Sequence, residues 1–428
     1  MKIIKGFKSA RPALSRRARE LPILDEREQA VRQIIDEVHQ RGDAALFDYT
    51  LRFDGVRLSS LEVPREQITR AYRAVDSALL SALKLAARRI RSFHTRQKKS
   101  LLRDSGASLG WRMLPLERVG VYTPYGTAPL PSSLLMTVIP ARVAGVKEII
   151  LATPPGPDGA VPPVTLAAAD IAGVDRVFSV GGAQAITALA FGTESIPAVD
   201  KVCGPGNIYV LLAKKLLYGV VGIDGLYGPS EVIIIADETA NPEYCAADLL
   251  AQAEHDPLAS AILITTSGSL ADGVNRQVEQ QLKGLSRQAV AAESLQNQGM
   301  IVVVNTIDES IELANSYAPE HLCLVVENAA SYVEQVTNAG CIFVGENSLE
   351  VLVDYVAGPS HVLPTEGTAR FSSPSNITDF VKLTTLVNMD KADLKELGPT
   401  ASTIARAEGL DAHARAVEKR LERGKLND

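Results

Sequence analysis

Apolar residues recur every three or four positions through the first quarter of the chain. Val31, Ile34 and Val38 follow this spacing, which places them on one face of an α-helix. Gly42 marks the end of that helix, and similar stripes continue beyond it. The pattern predicts a helical N-terminal region over residues 1–110, which acts as scaffold and carries little candidate chemistry.

From Val119 onwards, short β-branched runs alternate with helical segments. This alternation is typical of βα units around a parallel sheet. The predicted strands are Val119–Tyr122, Glu148–Ala152, Arg176–Val180, Glu231–Ala236, Ala261–Thr265, Ile301–Asn305, Leu322–Val326 and Cys341–Val344. They fall into two groups that separate near residue 228. The sequence therefore predicts an α/β fold with two Rossmann-like halves, and ligands at the carboxyl ends of the strands.

The same pattern sets the predicted domain boundaries. The first Rossmann-like domain covers residues 111–228 and the second covers residues 229–370. Residues 371–428 form a predicted helical C-terminal tail, because an amphipathic stripe runs along the end of the chain from Ala405 to Leu421.

Composition narrows the possible functions. Of 428 residues, 46% are hydrophobic and 22% are charged, and the net charge is −6. No basic stripe dominates, so nucleic acid is not an expected partner. No apolar run is long enough to span a membrane, and the N-terminus lacks the apolar core of a signal peptide. The four cysteines show no C-x-x-C pairing, which favours buried thiols in a reducing cytoplasm.

The segment Gln252-Ala253-Glu254-His255 is a candidate half of a metal site. Asn241 is a predicted N-cap with Pro242 in the first helical position, and a proline follows shortly after His255. Gln252 and His255 are three residues apart, so one helix face would present an amide oxygen and an imidazole nitrogen together. The alternative is a polar helix end exposed to water.

The adjacent pair Glu320-His321 is the main candidate for acid–base catalysis. Pro319 ends a predicted helix and an apolar strand follows His321, so the pair would occupy a helix-to-strand corner. A carboxyl and an imidazole side by side suit proton transfer near neutral pH. The alternative is an ion-paired corner on the surface.

Three further features add to the site hypothesis. The glycine-rich loop Cys203–Asn207 precedes a predicted helix at Ile208–Leu217, which suits an anion, although a plain turn is also possible. Asp354 and His413 could join Gln252 and His255 to give an O, N, O, N ligand set for zinc or another divalent transition metal. Spacing alone does not bring these four together. The residues by themselves indicate a metal-dependent α/β enzyme.

Taken together, the motifs resemble those of the histidinol dehydrogenase family over nearly the whole chain. The most specific stretches are Gly204-Pro205-Gly206-Asn207, Gly228-Pro229-Ser230-Glu231, Gln252-Ala253-Glu254-His255, Ala318-Pro319-Glu320-His321-Leu322 and His361-Val362-Leu363-Pro364-Thr365. Matching segments near both ends, from Arg41-Gly42-Asp43 to Asp411-Ala412-His413, occur in the same order.

The resemblance implies NAD-dependent oxidation of L-histidinol to L-histidine through the aldehyde. It implies one zinc ion per subunit, which orients the substrate, and a catalytic pair in which His321 is the general base and Glu320 activates water. The implied zinc ligands are Gln252, His255, Asp354 and His413. The implied substrate contacts are the same four side chains with Ser230, His321, His361 and Glu408, and the implied dinucleotide contacts are Tyr122, Gln184 and Asn207.

The resemblance also implies a homodimer with shared active sites. The first Rossmann-like domain is then the dinucleotide side and the second carries the metal and catalytic residues. The helical tail is the expected dimer contact, so that His361, Glu408 and His413 act on the partner's site.

One departure concerns two tyrosines. Tyr125, before Gly126, and Tyr227, before Gly228, are unusual for the family and add bulk beside the expected binding loops. The alternative function is therefore a related enzyme that oxidises another polar primary alcohol, such as sulfopropanediol. His361 and Glu408 suit a cationic imidazole substrate and favour histidinol. A zinc hydrolase would need no nucleotide, and a binding protein would need no Glu320-His321 pair.

Overall fold

The computed structural model describes residues 1–15, 26–101, 109–125 and 129–425. Within these residues the chain forms two compact units. The first unit comprises Met1–Lys98 and Leu116–Phe380, and the second comprises Lys99–Pro115 and Val381–Asp428.

Strands and helices alternate through most of the first unit. The strands are β1 (Lys2–Lys5), β2 (Leu109–Pro115), β3 (Arg118–Tyr122), β4 (Glu148–Thr153), β5 (Arg176–Ser179), β6 (Lys201–Cys203), β7 (Gly222–Ile223), β8 (Glu231–Ala236), β9 (Ser260–Thr265), β10 (Met300–Val303), β11 (His321–Val325), β12 (Cys341–Val344) and β13 (Val381–Val387). The helices are α1 (Phe7–Leu14), α2 (Glu26–Arg41), α3 (Asp43–Asp54), α4 (Arg65–Ala74), α5 (Ser77–Leu101), α6 (Pro131–Ala144), α7 (Pro163–Ala172), α8 (Gly182–Phe191), α9 (Ile208–Leu217), α10 (Pro242–Ala253), α11 (Gly268–Gln281), α12 (Gln288–Asn297), α13 (Ile307–Tyr317), α14 (Glu350–Tyr355), α15 (Lys391–Ala407) and α16 (Asp411–Lys425). Short 3₁₀ turns cover Leu282–Gly284, Ala329–Gln335, Thr368–Arg370 and Ile377–Phe380.

The first sheet contains five parallel strands in the order β5-β4-β3-β6-β7. Its apolar side chains pack against the N-terminal helices, since Val31, Ile34 and Val38 of α2 share one core cluster with Ile150 and Phe178. Helix α2 packs against α8 and α9, and α8 in turn packs against β3 and β6. Burial of this stripe stabilises α2.

The second sheet contains six parallel strands in the order β1-β10-β9-β8-β11-β12. Its central strand β8 is buried over its whole length, because helices cover both faces. Val232 and Ile234 face the cluster formed with α10, α11 and α12, whereas Ile233 and Ile235 face the cluster formed with α1 and α13. This alternation follows from the two-residue period of a strand.

The second unit is small. Strands β2 and β13 pair antiparallel from Leu109 with Val387 to Pro115 with Val381, and α15 packs against α16. The second unit leaves many large apolar side chains exposed, namely Trp111, Leu383, Leu386, Val387, Met389, Leu397, Ile404 and Leu410.

The predicted α/β architecture is confirmed, with two parallel sheets that separate between β7 and β8. Two strands lie in regions predicted to be helical. Strand β1 starts the chain and pairs with β10 at the sheet edge, and β13 lies in the C-terminal tail. Neither strand carries a buried-strand pattern in the sequence, because β1 has only four residues, two of them lysine, and β13 is largely exposed. Helices still dominate both regions, so the predicted helical N-terminal region and helical C-terminal tail are confirmed.

Candidate active site

The cavity of the first unit that holds the candidate catalytic residues, termed the main cavity, has a volume of about 200 Å³. Loops and helices connected to strands of both sheets line it. They are Leu130, Ser132, Ser133, Pro205, Tyr227, Gly228, Ser230, Gln252, His255, Glu320, His321, Glu350, Asp354, Tyr355, His361, Val362, Leu363 and Thr365. Seven residues that the sequence suggested for metal, substrate or catalysis therefore meet in one place, although they are spread over more than 130 positions of the chain.

Helix α10 carries Gln252 into this cavity. The Asn241 side chain accepts the Glu243 N–H at 2.9 Å and Pro242 is the first helical residue, as the sequence predicts. The Gln252 side chain is 0% exposed, and neither its Oε1 nor its Nε2 has a hydrogen-bond partner among the described residues. A buried amide without partners is costly, so the exposed-helix-end alternative fails for Gln252, whereas His255 is exposed. Because the amide has no partner among the described residues, it is free to bind a ligand in the cavity.

His255 follows the end of α10 and lines the same cavity. The backbone N–H of His255 donates to the backbone carbonyl oxygen of Gln252 at 3.3 Å. Desolvation lowers the pKa of His255, with Glu254 opposing the shift and Arg287 adding to it. A neutral imidazole is the form that binds a metal ion.

Asp354 and His361 form the opposite part of the cavity. The His361 Nδ1 lies 2.7 Å from the Asp354 backbone oxygen, and its Nε2 lies 3.1 Å from Ser133 Oγ. The carbonyl can only accept, so Nδ1 carries the proton and Nε2 accepts from Ser133. Burial lowers the pKa of His361 to about 4 and raises the pKa of the Asp354 carboxyl to about 7. Among the described residues, no cation offsets the cost of burying the Asp354 carboxylate.

The catalytic candidates lie at the predicted helix-to-strand corner. Helix α13 ends with Ala318 in the left-handed region, at φ 55, and His321 begins β11. Glu320 is 6% exposed and His321 is 4% exposed, so the alternative of a surface ion pair is wrong. The corner is buried because β11 pairs with both β8 and β12.

The backbone of Glu231 orients both catalytic candidates. Its N–H donates to Glu320 Oε2 at 2.9 Å, and its carbonyl accepts from His321 Nδ1 at 3.1 Å. The Nε2 atom of His321 has no hydrogen-bond partner among the described residues. Burial lowers the pKa of His321 to about 3 and raises the pKa of Glu320 well above its usual range.

Glu350 is a cavity residue that the sequence analysis missed. Its Oε1 lies 3.5 Å from His321 Nδ1, and its Oε2 has no hydrogen-bond partner in the described part of the chain. Burial raises the pKa of Glu350 well above its usual range, and Asp354 adds to the shift. Glu350 is four residues before Asp354 on α14, so helical spacing was the available signal.

The three predicted dinucleotide contacts lie at the carboxyl edge of the first sheet. Tyr122 ends β3, and its hydroxyl oxygen accepts the Gly182 N–H at 3.1 Å. Gln184 lies in the first turn of α8, which follows β5. Asn207 follows β6 and caps α9, where its Oδ1 accepts from Tyr209 and Val210. The segments that follow β3, β5 and β6 therefore lie along one edge of the sheet, as they do in other parallel βα units.

Glu408 and His413 belong to the second unit. Glu408 caps the end of α15, and His413 lies in the first turn of α16. Both are exposed. Over the described ranges of this one chain, no group of three or more His, Cys, Asp or Glu side chains is arranged to hold a metal ion.

Comparison with known proteins identifies the family. A sequence profile described as histidinol dehydrogenase matches residues 17–421. The chain belongs to the histidinol dehydrogenase family. It is therefore an oxidoreductase enzyme of that family, consistent with a place in histidine biosynthesis.

Individual members of the histidinol dehydrogenase family are similar over their whole length. A histidinol dehydrogenase of Dehalococcoides mccartyi (strain CBDB1) is 56% identical over 436 residues, which cover 99% of this chain and 100% of the relative. One from Halalkalibacterium halodurans is 50% identical over 401 residues, which cover 93% and 95%. The crystal structure of histidinol dehydrogenase from Elizabethkingia anophelis matches with a TM-score of 0.94 at 37% identity, covering 100% of this chain and 99% of that one.

Two features bear on expectations from the resemblance to histidinol dehydrogenases. Tyr227 lines the same cavity as Glu320 and His321. Tyr125 pairs with Pro129 in an isolated bridge, whereas Gly126 lies outside the described residues.

Among the described helices, none is long and apolar enough to cross a membrane.

Proposed function

We propose that the protein oxidises L-histidinol through L-histidinal to L-histidine with two NAD⁺ in succession and one zinc ion per subunit. The observation that carries this proposal is the buried His321 Nε2, without a partner among the described residues, in the same cavity as Gln252, His255 and Asp354. A general base and candidate metal ligands thus face one substrate-sized space.

The donors in the cavity fit zinc. The Gln252 amide has no hydrogen-bond partner among the described residues, and the lowered pKa of His255 favours its neutral imidazole. Burial raises the pKa of the Asp354 carboxyl to about 7, so the three side chains offer oxygen and nitrogen ligands. Zinc accepts such ligands and leaves positions for substrate. When bound, zinc holds and orients the amine and imidazole nitrogens of the amino alcohol. His413 of the second unit would complete the ligand set.

His321 acts as the general base. Its Nδ1–H is committed to the Glu231 carbonyl, so Nε2 is the atom that receives the proton of the alcohol. In the second oxidation Nε2 receives the remaining proton of the added water, from the hydroxyl of the aldehyde hydrate. Burial is the main cause of the low pKa of His321. A substrate and a negative charge nearby would bring it closer to neutrality.

Glu320 activates the water that adds to the aldehyde. One oxygen is held by the Glu231 N–H, so the other is available for water. Burial raises the pKa of Glu320, which makes its ionised form a stronger base than a solvent-exposed carboxylate. Ser230 and His361 contact the substrate from the cavity wall, and Glu408 of the second unit binds its ammonium group.

Tyr122, Gln184 and Asn207 bind the dinucleotide, which supplies the hydride acceptor. Support comes from their common position at the carboxyl edge of the first sheet. The Asn207 Oδ1 is used in capping, so its amide Nδ2 is the group directed to a ligand.

We infer a homodimer in which the second unit acts on the partner's site. The exposed apolar residues of β13 and α15, among them Leu383, Val387 and Ile404, support it, because such a patch marks an interaction surface. A cytoplasmic location remains a prediction that rests on cysteine usage; in the structure all four cysteines are free. Nucleic acid is not a proposed partner.

The cavity favours histidinol over a sulfonate substrate such as sulfopropanediol. Neither lysine nor arginine is present among its described lining residues, whereas three carboxylates are. Comparison of kcat/KM for the two alcohols tests this choice. We expect at least a 100-fold preference for L-histidinol, since a buried unpaired sulfonate is costly. A preference for sulfopropanediol would overturn the assignment.

A further inference from the structure

A buried ion pair lies beside the main cavity. The Nζ of Lys214, on α9, is 2.5 Å from Asp224 Oδ1, and the two side chains are 3% and 1% exposed. A buried pair carries a large desolvation cost unless its remaining hydrogen-bonding positions are satisfied. Here they are, because Nζ also donates to the Gly204 carbonyl at 3.0 Å and Oδ1 accepts the Gly225 N–H at 2.9 Å.

The pair holds Gly204 from both sides. Asp224 Oδ2 accepts the Gly204 N–H at 2.7 Å, while Lys214 binds its carbonyl. Gly204 has φ +112, and a Cβ there would lie 2.0 Å from the Tyr122 carbonyl oxygen. The ion pair therefore fixes a peptide that touches one proposed dinucleotide residue and leads directly into the loop that ends at Asn207.

The same pair holds the ring of Tyr227. The Lys214 Nζ lies 5.0 Å from the centroid of this ring, a cation–π distance. Burial raises the pKa of Tyr227 well above its usual range, and the nearby Asp224 carboxylate adds to the shift. Tyr227 lines the main cavity together with Pro205 of the loop, and it also lines a neighbouring cavity of about 440 Å³. The ring thus separates two spaces.

We propose that Lys214 and Asp224 are positioning residues that fix the loop Gly204–Asn207 and the Tyr227 ring in one arrangement. Neither charged group lies in the cavity lining, so both act through other residues. Tyr227 is the specificity-determining residue of this cluster, because its side chain lines the cavity that would hold the alcohol. The inference rests on the proposed function, since the loop and the ring contact the dinucleotide and the alcohol.

Three variants separate positioning from a structural role. Lys214→Met keeps the aliphatic stem and removes the charge and donors. Tyr227→Phe keeps the ring and the ion pair but removes the hydroxyl group near Asp224. Lys215→Met is the matched control, because Lys215 is the next residue of α9 and its side chain is 46% exposed.

The test measures steady-state kinetics with L-histidinol and NAD⁺, direct NAD⁺ binding, and thermal unfolding of the dimer. We expect Lys214→Met to raise the KM and Kd for NAD⁺ about tenfold, and Tyr227→Phe to raise the KM for L-histidinol several-fold without a change in Tm. Lys215→Met should match wild type. Wild-type turnover tests the proposed function, whereas ratios of variant to wild type test the inference.

Unchanged KM and Kd values in folded Lys214→Met would overturn the positioning role. If Lys214→Met does not fold, Tyr227→Phe decides, and an unchanged KM for L-histidinol together with an unchanged Kd for NAD⁺ overturns the inference. A lower Tm with wild-type kinetics would likewise assign the cluster to stability alone.

Discussion

The Nδ1 of His321 lies 3.1 Å from the backbone carbonyl oxygen of Glu231. This contact decides which nitrogen of the catalytic candidate carries the proton, since a carbonyl can only accept. The other ring nitrogen, Nε2, carries a lone pair that can accept a proton, and it has no hydrogen-bond partner among the described residues. A backbone atom fixes this tautomer, so changes in neighbouring side chains leave it intact, and the role of each carboxyl group can be tested separately.

Glu320→Gln should separate the two oxidation steps. The amide keeps the hydrogen bond from the Glu231 N–H but cannot remove a proton from water. We expect the conversion of L-histidinal to L-histidine to slow by about 100-fold or more, with a much smaller effect on the first hydride transfer. Single-turnover NADH formation from each substrate measures both rates. Equal losses in the two steps would contradict the role assigned to Glu320.

Glu350→Gln tests a residue that no motif indicated. The carboxyl lies 3.5 Å from His321 Nδ1 and can become anionic when His321 gains a proton, which an amide cannot. We expect kcat to fall about tenfold, equivalent to about 1.4 kcal/mol. The Tm should stay the same or rise, because a buried carboxyl with an unpartnered oxygen is replaced by a neutral group. Wild-type kcat in a folded variant would show that Glu350 has no catalytic influence.

The structure explains which elements the sequence could predict. Strands β8 and β12 match their predicted bounds because they are continuous apolar runs bounded by turn residues. The burial of Glu320 and Gln252 could not be predicted, since it depends on strands and helices that pair far apart in the chain. The same is true of Glu350, whose contact with His321 arises only when α14 packs beside β11. The sequence therefore predicts where these strands lie along the chain, but not which polar side chains the fold buries.

Asp54 should make stability depend on pH. It ends α3, its Oδ2 has no hydrogen-bond partner in the described ranges, and burial raises its pKa from 3.8 to about 6. A raised pKa in the folded state favours the protonated form. The stability that this form contributes is therefore fully present below about pH 4 and is lost as pH rises through about 6.

Asp54→Asn should remove the cost of burying an ionised carboxylate, which lowers stability at high pH. At about pH 8 we expect the free energy of unfolding to rise by about 1 kcal/mol, a value reduced from the full pKa shift because the side chain is only partly buried. At about pH 4 the variant should match wild type. Denaturant unfolding at both pH values measures this, with the exposed Asp36→Asn as control. A loss of stability at the higher pH would contradict the burial argument.

Subunit complementation tests the shared site. Glu320→Gln removes a group of the first unit and His413→Ala removes one of the second, so each homodimer should be inactive in the full reaction. A mixed dimer would contain one intact site if the second unit serves its partner. We expect mixing under exchange conditions to restore up to about half of the wild-type activity per mixed dimer, because one of its two sites is intact. No recovery despite proven exchange would place each site within one chain.

The most direct measurement is NADH formation from L-histidinol by the wild-type protein before chelation, after chelation and after zinc is restored. We expect two NADH per histidinol, loss of turnover on chelation and recovery with zinc, because Gln252, His255 and Asp354 offer oxygen and nitrogen ligands in one cavity and the Gln252 amide has no partner among the described residues. No NADH from L-histidinol with folded, zinc-loaded protein would contradict the proposed function.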